Sequence, residues 1–544
     1  MQLNGVVGLF PGSVNSSGIV FACSNRAVLD ASRDRFIGAL RRDLTAADYT
    51  VDAVRRLWGD EADAALRRAD RVVARRALRS APPSPLSTLA RLFLLADPVS
   101  ADELADALPS LGLDGVRELG LAAGDVAGGT WQALLDVRPY SALDATGAVS
   151  WWVVSDLGEL ATGGALDAGH VLGVGGASTT LSSLIPTSQA RRVLDLGTGC
   201  GIQSLHASRH AGAIVATDIS RRALDLAALT LRLNGLELGP GGIDLRHGDL
   251  FAPVADERFD RIVSNPPFVI TPRREGVPLY EYRDGGRVGD GIVEEVVRGV
   301  AEHLELGGTA HLLGNWEYRD AMGGDGLARV RRWVEESGLD AWIVERERQS
   351  PAQYAETWIR DGGTRVGSPE FEALAEEWLA DFEARGVTGV GFGYVVLRRP
   401  LDPAAPRLVR TERLLDALGA TPTGIGDHLM AGFAAHDAIA PLDDAALAEL
   451  RLRVAPDVTE ERHQWPGADG PTVMRLRQGG GFARSIDADA ALAGLVGASD
   501  GELSVGQLIG ALAQLLEVDE AALADDLLPR VRELVLTGFL TLDA

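Results

Sequence analysis

The spacing of apolar residues divides the chain into three parts. From about residue 25 to 145, apolar positions recur at helical intervals, and from about 150 to 400 short apolar runs alternate with helical segments. Alternation of this kind predicts a parallel α/β sheet. Prolines between Arg399 and Pro406 then mark a linker, and the remainder is helical again. We therefore expect a central α/β domain flanked by two mainly helical domains.

The predicted boundaries follow these changes in pattern. Glycine, proline, serine and asparagine interrupt the start, so residues 1–24 are expected to be either a disordered leader or the product of an over-extended translation start. The other boundaries place an N-terminal domain over 25–148, the central domain over 149–400 and a C-terminal domain over 407–544. Three domains agree with a length of 544 residues, since a typical domain takes about 100–200.

The two flanking domains share a pattern of helices and glycine. A capping box formed by Ser100 and Glu103 predicts a helix start, and a later apolar run ends at Gly120. Near the end of the chain, Ser504 predicts a helix start, and Gly538 again follows an apolar run. Two helices followed by a short strand after glycine resemble a winged-helix module, which binds nucleic acid or protein. A plain helical bundle fits the same residues, and both interpretations stay open.

Composition and charge narrow the possible partners. The chain is 46% apolar and carries a formal net charge of −25, so as a whole it repels phosphate backbones. Residues 21–80 nevertheless hold 13 arginines against 9 acidic residues, whereas residues 401–544 hold 11 against 23. No apolar run approaches the ~18 residues of a membrane span. Cys23 and Cys200 lie far apart, so we expect a cytoplasmic protein without disulfides and without a metal site.

Four polar residues end successive predicted strands of the central domain. Asp195 precedes a glycine-rich turn, Asp218 ends the second strand, Asp249 follows the third, and Asn265 follows the fourth. Ligands of open α/β sheets bind at this carboxyl edge. Glycines in the turn let the backbone approach a ligand closely. They are Gly197, Gly199 and Gly201.

A glycine-rich turn after a strand is also typical of nicotinamide-dependent oxidoreductases. The fingerprint of those enzymes, G-x-G-x-x-G, is absent, because Ile202 and Gln203 follow the last glycine of the turn. An oxidoreductase therefore ranks behind the other interpretations of this site.

With Asn265-Pro-Pro-Phe268 at the end of the fourth strand, the stretch from about 170 to 400 resembles the class I S-adenosylmethionine-dependent methyltransferases. Within that class it is similar to the enzymes with an [N/D]-PP-[Y/F] motif, which methylate protein glutamine at N5, adenine at N6 or guanine at N2. The resemblance implies a Rossmann-like, seven-stranded α/β core with S-adenosylmethionine as its cofactor. Asp218 would bind the ribose hydroxyls, and Asp249 with Leu250 would contact the adenine. The residues implied for the cofactor are Asp195, Gly197, Thr198, Gly199, Gly201, Asp218, Ile219, Asp249, Leu250 and Asn265.

The residues of this motif suit the methylation of a planar NH₂ group, whose delocalised lone pair makes it a poor nucleophile. The side-chain oxygen of Asn265 and the backbone carbonyl of Pro266 can each accept one N–H hydrogen bond and so hold the nitrogen in line. Pro266 and Pro267 rigidify the loop. Phe268 would offer a face on which a flat amide or base can stack. A tight turn that only ends a strand is the alternative.

Other segments are predicted to complete the substrate side of the site. Tyr280, Tyr282 and Arg283 follow the prolines, in a loop that resembles the glycine-rich turn of the glutamine enzymes. Pro267 would border the same space. Trp316, at the end of the fifth strand, would form a wall of the pocket; packing in the core is its alternative role.

The substrate stays open between two classes of molecule. A protein glutamine of a translation factor is favoured by the glycine-rich loop and by the acidic C-terminal domain, which suits a basic partner. RNA or DNA, methylated at adenine N6 or guanine N2, is favoured by Phe268, since tyrosine is the commoner residue there, and by the arginines of residues 21–80. A third hypothesis, a regulator that binds the cofactor without catalysis, is weakened by the intact motif.

Overall fold

The structure is a computed structural model. It describes residues 26–68, 70–124, 129–162, 167–274, 276–280, 282–320, 324–421, 424–467 and 470–542. The predicted leader over residues 1–24 lies outside the described residues.

The N-terminal part is a helical assembly that ends in a small three-stranded sheet. Its elements are α1 Arg26–Ala46, α2 Val51–Trp58, α3 Asp60–Leu66, α4 Val72–Ser80, α5 Pro85–Leu89 with a π-helical turn at Ala90–Leu94, β1 Val99–Ser100, α6 Ala101–Ala107, α7 Gly112–Glu118, β2 Ala122–Gly124 and β3 Thr130–Ala133. Ser100 and Glu103 form the predicted capping box at the start of α6. The sheet order is β1-β3-β2. Helix, helix and a short strand after Gly120 therefore occur in the predicted order, while the winged-helix interpretation stays a prediction.

A long hairpin joins the N-terminal part to the central domain. Its strands are β4 Leu135–Asp144 and β5 Gly147–Asp156, so the predicted boundary at residue 148 falls inside the hairpin. The amide of Asn234 bonds both backbone groups of Trp152, at 2.9 and 2.7 Å. The hairpin is thus attached to the helix that ends beside Asn234.

The central domain alternates strands and helices as predicted. Its elements are α8 Glu159–Thr162, α9 Gly176–Leu184, β6 Ala190–Leu196, α10 Ile202–Ala207, β7 Ala211–Asp218, α11 Arg221–Leu233, β8 Ile243–His247, a 3₁₀ turn at Ala252–Val254, β9 Phe259–Ser264, α12 Gly291–His303, β10 Leu304–Arg319, α13 Gly326–Glu335, β11 Asp340–Gln349, α14 Pro351–Asp361, α15 Pro369–Ala384, β12 Val387–Arg398 and β13 Val409–Arg413. The apolar run of β9 is buried at all but one of its positions, as is typical of strands in a parallel sheet that is covered on both faces.

The order of strands in the sheet is β13-β11-β12-β10-β9-β6-β7-β8. Strands β6, β7, β8 and β9 pair in parallel, and β12 is antiparallel to β10 and β11. The sheet thus has eight strands rather than the predicted seven. The additional strand, β13, begins two residues after the predicted boundary at 407 and pairs with β11, so this segment belongs to the central sheet.

The C-terminal part combines helices with two small sheets. Its elements are α16 Ile425–Ile439, α17 Asp444–Ala448, β14 Arg451–Val454, β15 Val458–His463, β16 Val473–Gln478, β17 Ser485–Ala488, α18 Ala490–Gly497, β18 Asp500–Ser504, α19 Val505–Leu516, α20 Glu520–Leu536 and β19 Leu540–Leu542. Ser504 and Gln507 form a capping box, and β19 follows Gly538 as the pattern predicts. No helix in the described part of the chain is both long and apolar enough to cross a bilayer.

Candidate active site

The carboxyl edge of the central sheet opens into a cavity of about 430 Å³. Its wall brings together residues from four strand ends and from the loop that follows the prolines, as expected for this edge of an open α/β sheet. The predicted residues on this wall are Gly197, Thr198, Gly199, Asp218, Ile219, Asp249, Leu250, Asn265, Pro266, Pro267 and Tyr282.

The glycine-rich turn forms one side of the cavity. Gly197 and Gly199 have φ angles of 76° and 56°, and no other heavy atom lies within 4 Å of where a Cβ would stand. A side chain at either position would be strained and would project into open space. Gly201 does not line the cavity; it begins α10, and a Cβ there would come within 3.3 Å of Ala227. Its role is the close packing of two helices.

Asp218 stands at the end of β7 and links two parts of the site. Its carboxylate accepts hydrogen bonds from the backbone N–H of Gly199 at 2.9 Å and of Ser220 at 2.8 Å. The side chain is only partly buried and faces the cavity. A carboxylate in this position can accept further hydrogen bonds from two adjacent hydroxyls, as ribose would present them.

Replacing Asp218 by alanine is expected to raise the dissociation constant for S-adenosylmethionine by about 10- to 100-fold, because hydrogen bonds to a charged acceptor are lost. Isothermal titration calorimetry measures this change. Asp244→Ala is the matched control, since Asp244 pairs with Arg246 outside the cavity wall. Equal affinity in the Asp218 variant and the native protein would exclude the proposed role.

Asp195 is enclosed beneath the glycine-rich turn and does not line the cavity. Its Oδ2 accepts hydrogen bonds from Thr198 Oγ1 at 2.7 Å and Ser204 Oγ at 2.6 Å, while Oδ1 has no partner in the described part of the chain. Burial raises the pKa of Asp195 to about 6, although these two hydrogen bonds oppose the shift. Asp195 therefore holds the turn from below, and the predicted direct cofactor contact stays a proposal.

This pKa predicts a pH-dependent stability difference. The folded protein holds the Asp195 proton more tightly than the unfolded chain, whose aspartate pKa is about 3.9. The stabilisation that this proton contributes to the folded state is thus complete below about pH 4 and is lost as the pH rises to about 6. Above that pH, Asp195 causes no further change in stability. Relative to the native protein, Asp195→Asn should gain stability between pH 4 and 6 and then hold that gain. Urea unfolding at several pH values tests this, and a pH-independent difference would contradict it.

The third strand end contributes Asp249 and Leu250. Leu250 has a φ angle of 43°, a left-handed conformation that is uncommon for a residue other than glycine and that clusters at functional sites. Asp249 is exposed at the cavity, and Arg287 Nη2 approaches its Oδ2 to 3.6 Å. Both residues therefore line the cavity, and their contact with adenine stays a prediction.

Asn265 follows β9 and faces the cavity with Pro266 and Pro267. The Oδ1 atom of Asn265 is buried and accepts no hydrogen bond from the described residues. Buried polar atoms are normally paired, so this oxygen is open to an N–H donor of a substrate. The preceding Ser264 donates its hydroxyl to the carbonyl of Leu196 at 2.8 Å, which ties the motif to the strand before the glycine-rich turn.

Phe268 does not present a face to the cavity. It is 8% exposed and packs against two other rings. The ring centroid of Trp358 lies 6.4 Å away and that of Phe392 lies 5.5 Å away. The prediction of a stacking platform at Phe268 is therefore wrong for this conformation. The cause is the pair of helices between β11 and β12, because α14 brings Trp358 against the ring.

Trp316 and Arg283 are also placed differently from the prediction. Trp316 is fully buried, and its Nε1 donates to Glu345 Oε2 at 2.8 Å, so it packs in the core rather than forming a wall of the cavity. Arg283 is 5% exposed and donates to Asp361 Oδ2 at 2.8 Å. Its guanidinium lies 4.4 Å from the ring of Tyr280, which is itself buried. Arg283 and Tyr280 thus hold the loop in place, and neither of them nor Trp316 lines the cavity.

Tyr282 lines the cavity together with residues that the sequence did not single out. His170 meets the Tyr282 ring edge-on at 5.8 Å, and its buried Nε2 has no hydrogen-bond partner among the described residues. Burial lowers the pKa of His170, so the ring is neutral at pH 7. Gln203 also lines the wall and donates to the carbonyl of Ser178 at 2.9 Å. A lone histidine or glutamine carries no spacing signal, so local pattern could not have found them.

Two histidines of the central domain have a spacing that occurs in metal sites. His206 and His210 are four residues apart, a spacing that can bind metal when both lie on one helix. Here α10 ends at Ala207, and His210 turns to Asp144 at 3.1 Å while His206 meets Tyr140 at 3.0 Å. Across the described ranges, no group of three or more histidine, cysteine or acidic side chains suits a metal ion.

The strand order and the glycine-rich turn after the first central strand are those of the class I S-adenosylmethionine-dependent methyltransferase fold. Residues 173–322 match the family model described as "Methyltransferase small domain". Residues 46–133 and 437–542 each match a family described as a domain of unknown function.

The names of similar proteins describe methylation of ribosome components. A "Ribosomal protein uL3 glutamine methyltransferase" of Bradyrhizobium diazoefficiens is 38% identical over 128 residues, 22% of this chain and 39% of that protein. A "Ribosomal RNA small subunit methyltransferase C" of Escherichia coli is 32% identical over 146 residues, 26% of this chain and 35% of that protein. A T. thermophilus 16S rRNA N2 methyltransferase, solved with AdoMet and guanosine, has 18% identity and a TM-score of 0.27 over 50% of this chain and 55% of that one.

The match to these curated relatives is confined to part of their length, between about a third and two fifths for the two proteins described. The substrate of this protein is therefore argued from its own site.

Proposed function

We propose that this protein transfers a methyl group to the side-chain amide nitrogen of a glutamine in a protein of the translation apparatus. The observation that carries the proposal is the Oδ1 atom of Asn265, a buried acceptor at the carboxyl edge of the sheet that has no partner among the residues the structure describes. An acceptor of this kind binds an N–H group of an amide and fixes the direction of its lone pair.

The cavity fits S-adenosylmethionine as the second reactant. Its volume of about 430 Å³ is within the range of small-molecule sites, and its wall includes the glycine-rich turn, Asp218 and Asp249. When bound, S-adenosylmethionine supplies the methyl group as a sulfonium. Asp218 would hold the ribose, Asp249 and Leu250 the adenine, and Gly197 and Gly199 would leave room for the methionine part.

Asn265 and Pro266 would act on the amide rather than on the cofactor. The Asn265 side-chain oxygen and the Pro266 carbonyl each accept one N–H bond, which holds the nitrogen with its lone pair aimed into the cavity. These bonds also stabilise the positive charge that develops on nitrogen during transfer. A strong base is not required, because the proton leaves a nitrogen that has already become cationic.

Two observations favour an amide over a nucleobase. Among the described residues of the wall, Tyr282 and His170 are the aromatic side chains, and Phe268 is turned into the core. The four arginines of residues 269–290 are all paired with carboxylates, so this loop offers no free cation to a phosphate backbone. The net charge of −25 also disfavours a nucleic-acid substrate, because it repels a phosphate backbone.

Guanine in ribosomal RNA is the second candidate substrate. It is favoured by the ribosomal RNA relatives and by the arginine excess of residues 21–80, where Arg41 and Arg42 are exposed on α1. In this alternative the N-terminal part would bind RNA. We expect either reaction to take place in the cytoplasm, as the two distant cysteines predict.

The protein is incubated with methyl-labelled S-adenosylmethionine and a lysate, and the product is then treated with protease or nuclease. The proposal predicts label that protease releases and nuclease does not. Nuclease-sensitive label would replace the amide by a nucleobase. Cofactor binding without any label, in a native protein whose fold is intact, would support the hypothesis of a regulator.

A further inference from the structure

Gln203 lines the cavity directly after the glycine-rich turn, in the first turn of α10, and its side chain is buried. The Nε2 atom of its amide donates to the backbone carbonyl of Ser178 on α9 at 2.9 Å, and Ser178 lines the same cavity. A carbonyl oxygen only accepts hydrogen bonds, so this contact fixes which end of the Gln203 amide faces α9. The other end of the amide, Oε1, is therefore held as an acceptor.

The Oε1 atom of Gln203 is buried and accepts no hydrogen bond from the described part of the chain. An unpaired buried amide oxygen costs free energy, and in native proteins such an atom usually has a partner. Among the described residues of the wall, the other side-chain oxygen in this condition is Oδ1 of Asn265, which the proposed function assigns to the substrate amide. The oxygen of Gln203 is thus available to the cofactor.

The order of the strands indicates which part of S-adenosylmethionine would lie beside Gln203. Strands β8, β7 and β6 are neighbours in that order, about 4.8 Å apart, and their carboxyl ends lead to Asp249, Asp218 and the glycine-rich turn. With the adenine at Asp249 and the ribose at Asp218, the methionine part would extend towards the turn. Gln203 lies two residues after Gly201, so it is on the side of the cavity where the methionine part ends.

The chemistry of that end selects one of its two charged groups. An ammonium has three N–H donors and no acceptor, so it complements a fixed amide oxygen, whereas a carboxylate only accepts and would be repelled by it. A hydrogen bond from an ammonium is also stronger than one between two neutral groups.

We propose that Oε1 of Gln203 binds the ammonium group of the methionine part of S-adenosylmethionine, and that Ser178 holds Gln203 in the orientation that this contact requires. The inference rests on the proposed function, from which the positions of adenine and ribose are taken. It makes Gln203 a cofactor-binding residue that recognises the amino acid end of the cofactor, while Asp218 recognises the ribose.

The test compares two ligands by isothermal titration calorimetry: S-adenosylhomocysteine and its deamino analogue, in which hydrogen replaces the amino group and the carboxylate is kept. The native protein should bind S-adenosylhomocysteine about 10- to 100-fold more tightly, because the analogue leaves the Gln203 oxygen unpaired. The variant Gln203→Met keeps the length of the side chain but has no amide oxygen. In this variant the ratio of the two affinities should fall about tenfold, through weaker binding of S-adenosylhomocysteine alone.

Asp218→Ala is the matched control. Both ligands contain the ribose, so this variant should weaken both by the same factor and keep the native ratio. If Gln203→Met does not fold, Gln203→Asn, whose amide is one methylene shorter, should show the same fall in the ratio.

A purely structural role of Gln203 would weaken both ligands equally. A native ratio in the Gln203 variants, or equal affinity of the native protein for the two ligands, would therefore overturn the inference and leave the proposed function intact. Failure of the native protein to bind S-adenosylhomocysteine at all would overturn the proposed function itself.

Discussion

Alanine in place of Asn265 is expected to lower kcat by about 100- to 1,000-fold, the usual cost of removing one preorganised group that stabilises developing charge. The affinity for S-adenosylmethionine should change little, because Asp218 and the glycine-rich turn are untouched. The substituted side chain is not part of the apolar core, and its Oδ1 bonds no other described residue, so the fold should persist. Single-turnover kinetics with labelled cofactor measures the rate of transfer.

Asn265→Asp is the matched control for this prediction. Aspartate keeps an oxygen acceptor at the same distance from the backbone, so the variant should retain more activity than the alanine variant. A native transfer rate in Asn265→Ala would mean that the reacting nitrogen is held elsewhere. Loss of cofactor binding in Asn265→Ala would instead give this side chain a role in the cofactor site.

The second large effect concerns stability rather than catalysis. Trp316→Ala should lower the free energy of unfolding by about 3–5 kcal/mol, as expected for truncation of a fully buried aromatic side chain. Gly326, Gly391 and Gly393 make room for this indole, and a Cβ at any of them would come within 3 Å of it. The cavity left by alanine would therefore have rigid backbone on several sides and could not collapse easily.

Trp316→Phe separates the two contributions of the side chain. Phenylalanine keeps most of the volume but loses the N–H that donates to Glu345, so it should cost about 1–3 kcal/mol. Both variants should bind S-adenosylmethionine normally well below their unfolding temperatures. If Trp316→Ala were as stable as the native protein but bound substrate more weakly, Trp316 would form a wall of the pocket instead of packing in the core. Thermal unfolding followed by calorimetry provides the comparison.

The parts of the site that the sequence predicted are those set by local structure. Asp218 and Asn265 stand at strand ends because apolar runs stop there, and parallel strands bring their carboxyl ends to one edge. The caps at Ser100 and Ser504 are equally local, since a cap is decided within four residues. For the same reason the class of the central domain could be read from its motifs.

The predictions that failed depend on contacts between distant segments. Phe268 is covered by Trp358, about ninety residues further along the chain, and Arg283 is neutralised by Asp361 on the same helix pair. Which face of a side chain meets the cavity is decided by such partners, and one sequence does not reveal them. The strand β13 was missed because its pairing with β11 crosses the predicted linker.

The most direct test of the central claim is the chemical form of the transferred methyl group. Protein labelled with methyl-labelled S-adenosylmethionine is hydrolysed in strong acid, which cleaves a side-chain amide but leaves N-methylated bases, lysine and arginine intact. If Asn265 holds a glutamine amide, the label will be recovered as methylammonium, which distils as methylamine once the hydrolysate is made alkaline, and it will be absent when the Asn265→Ala variant is used. Label that remains in a methylated base or in a methylated basic amino acid would contradict this account.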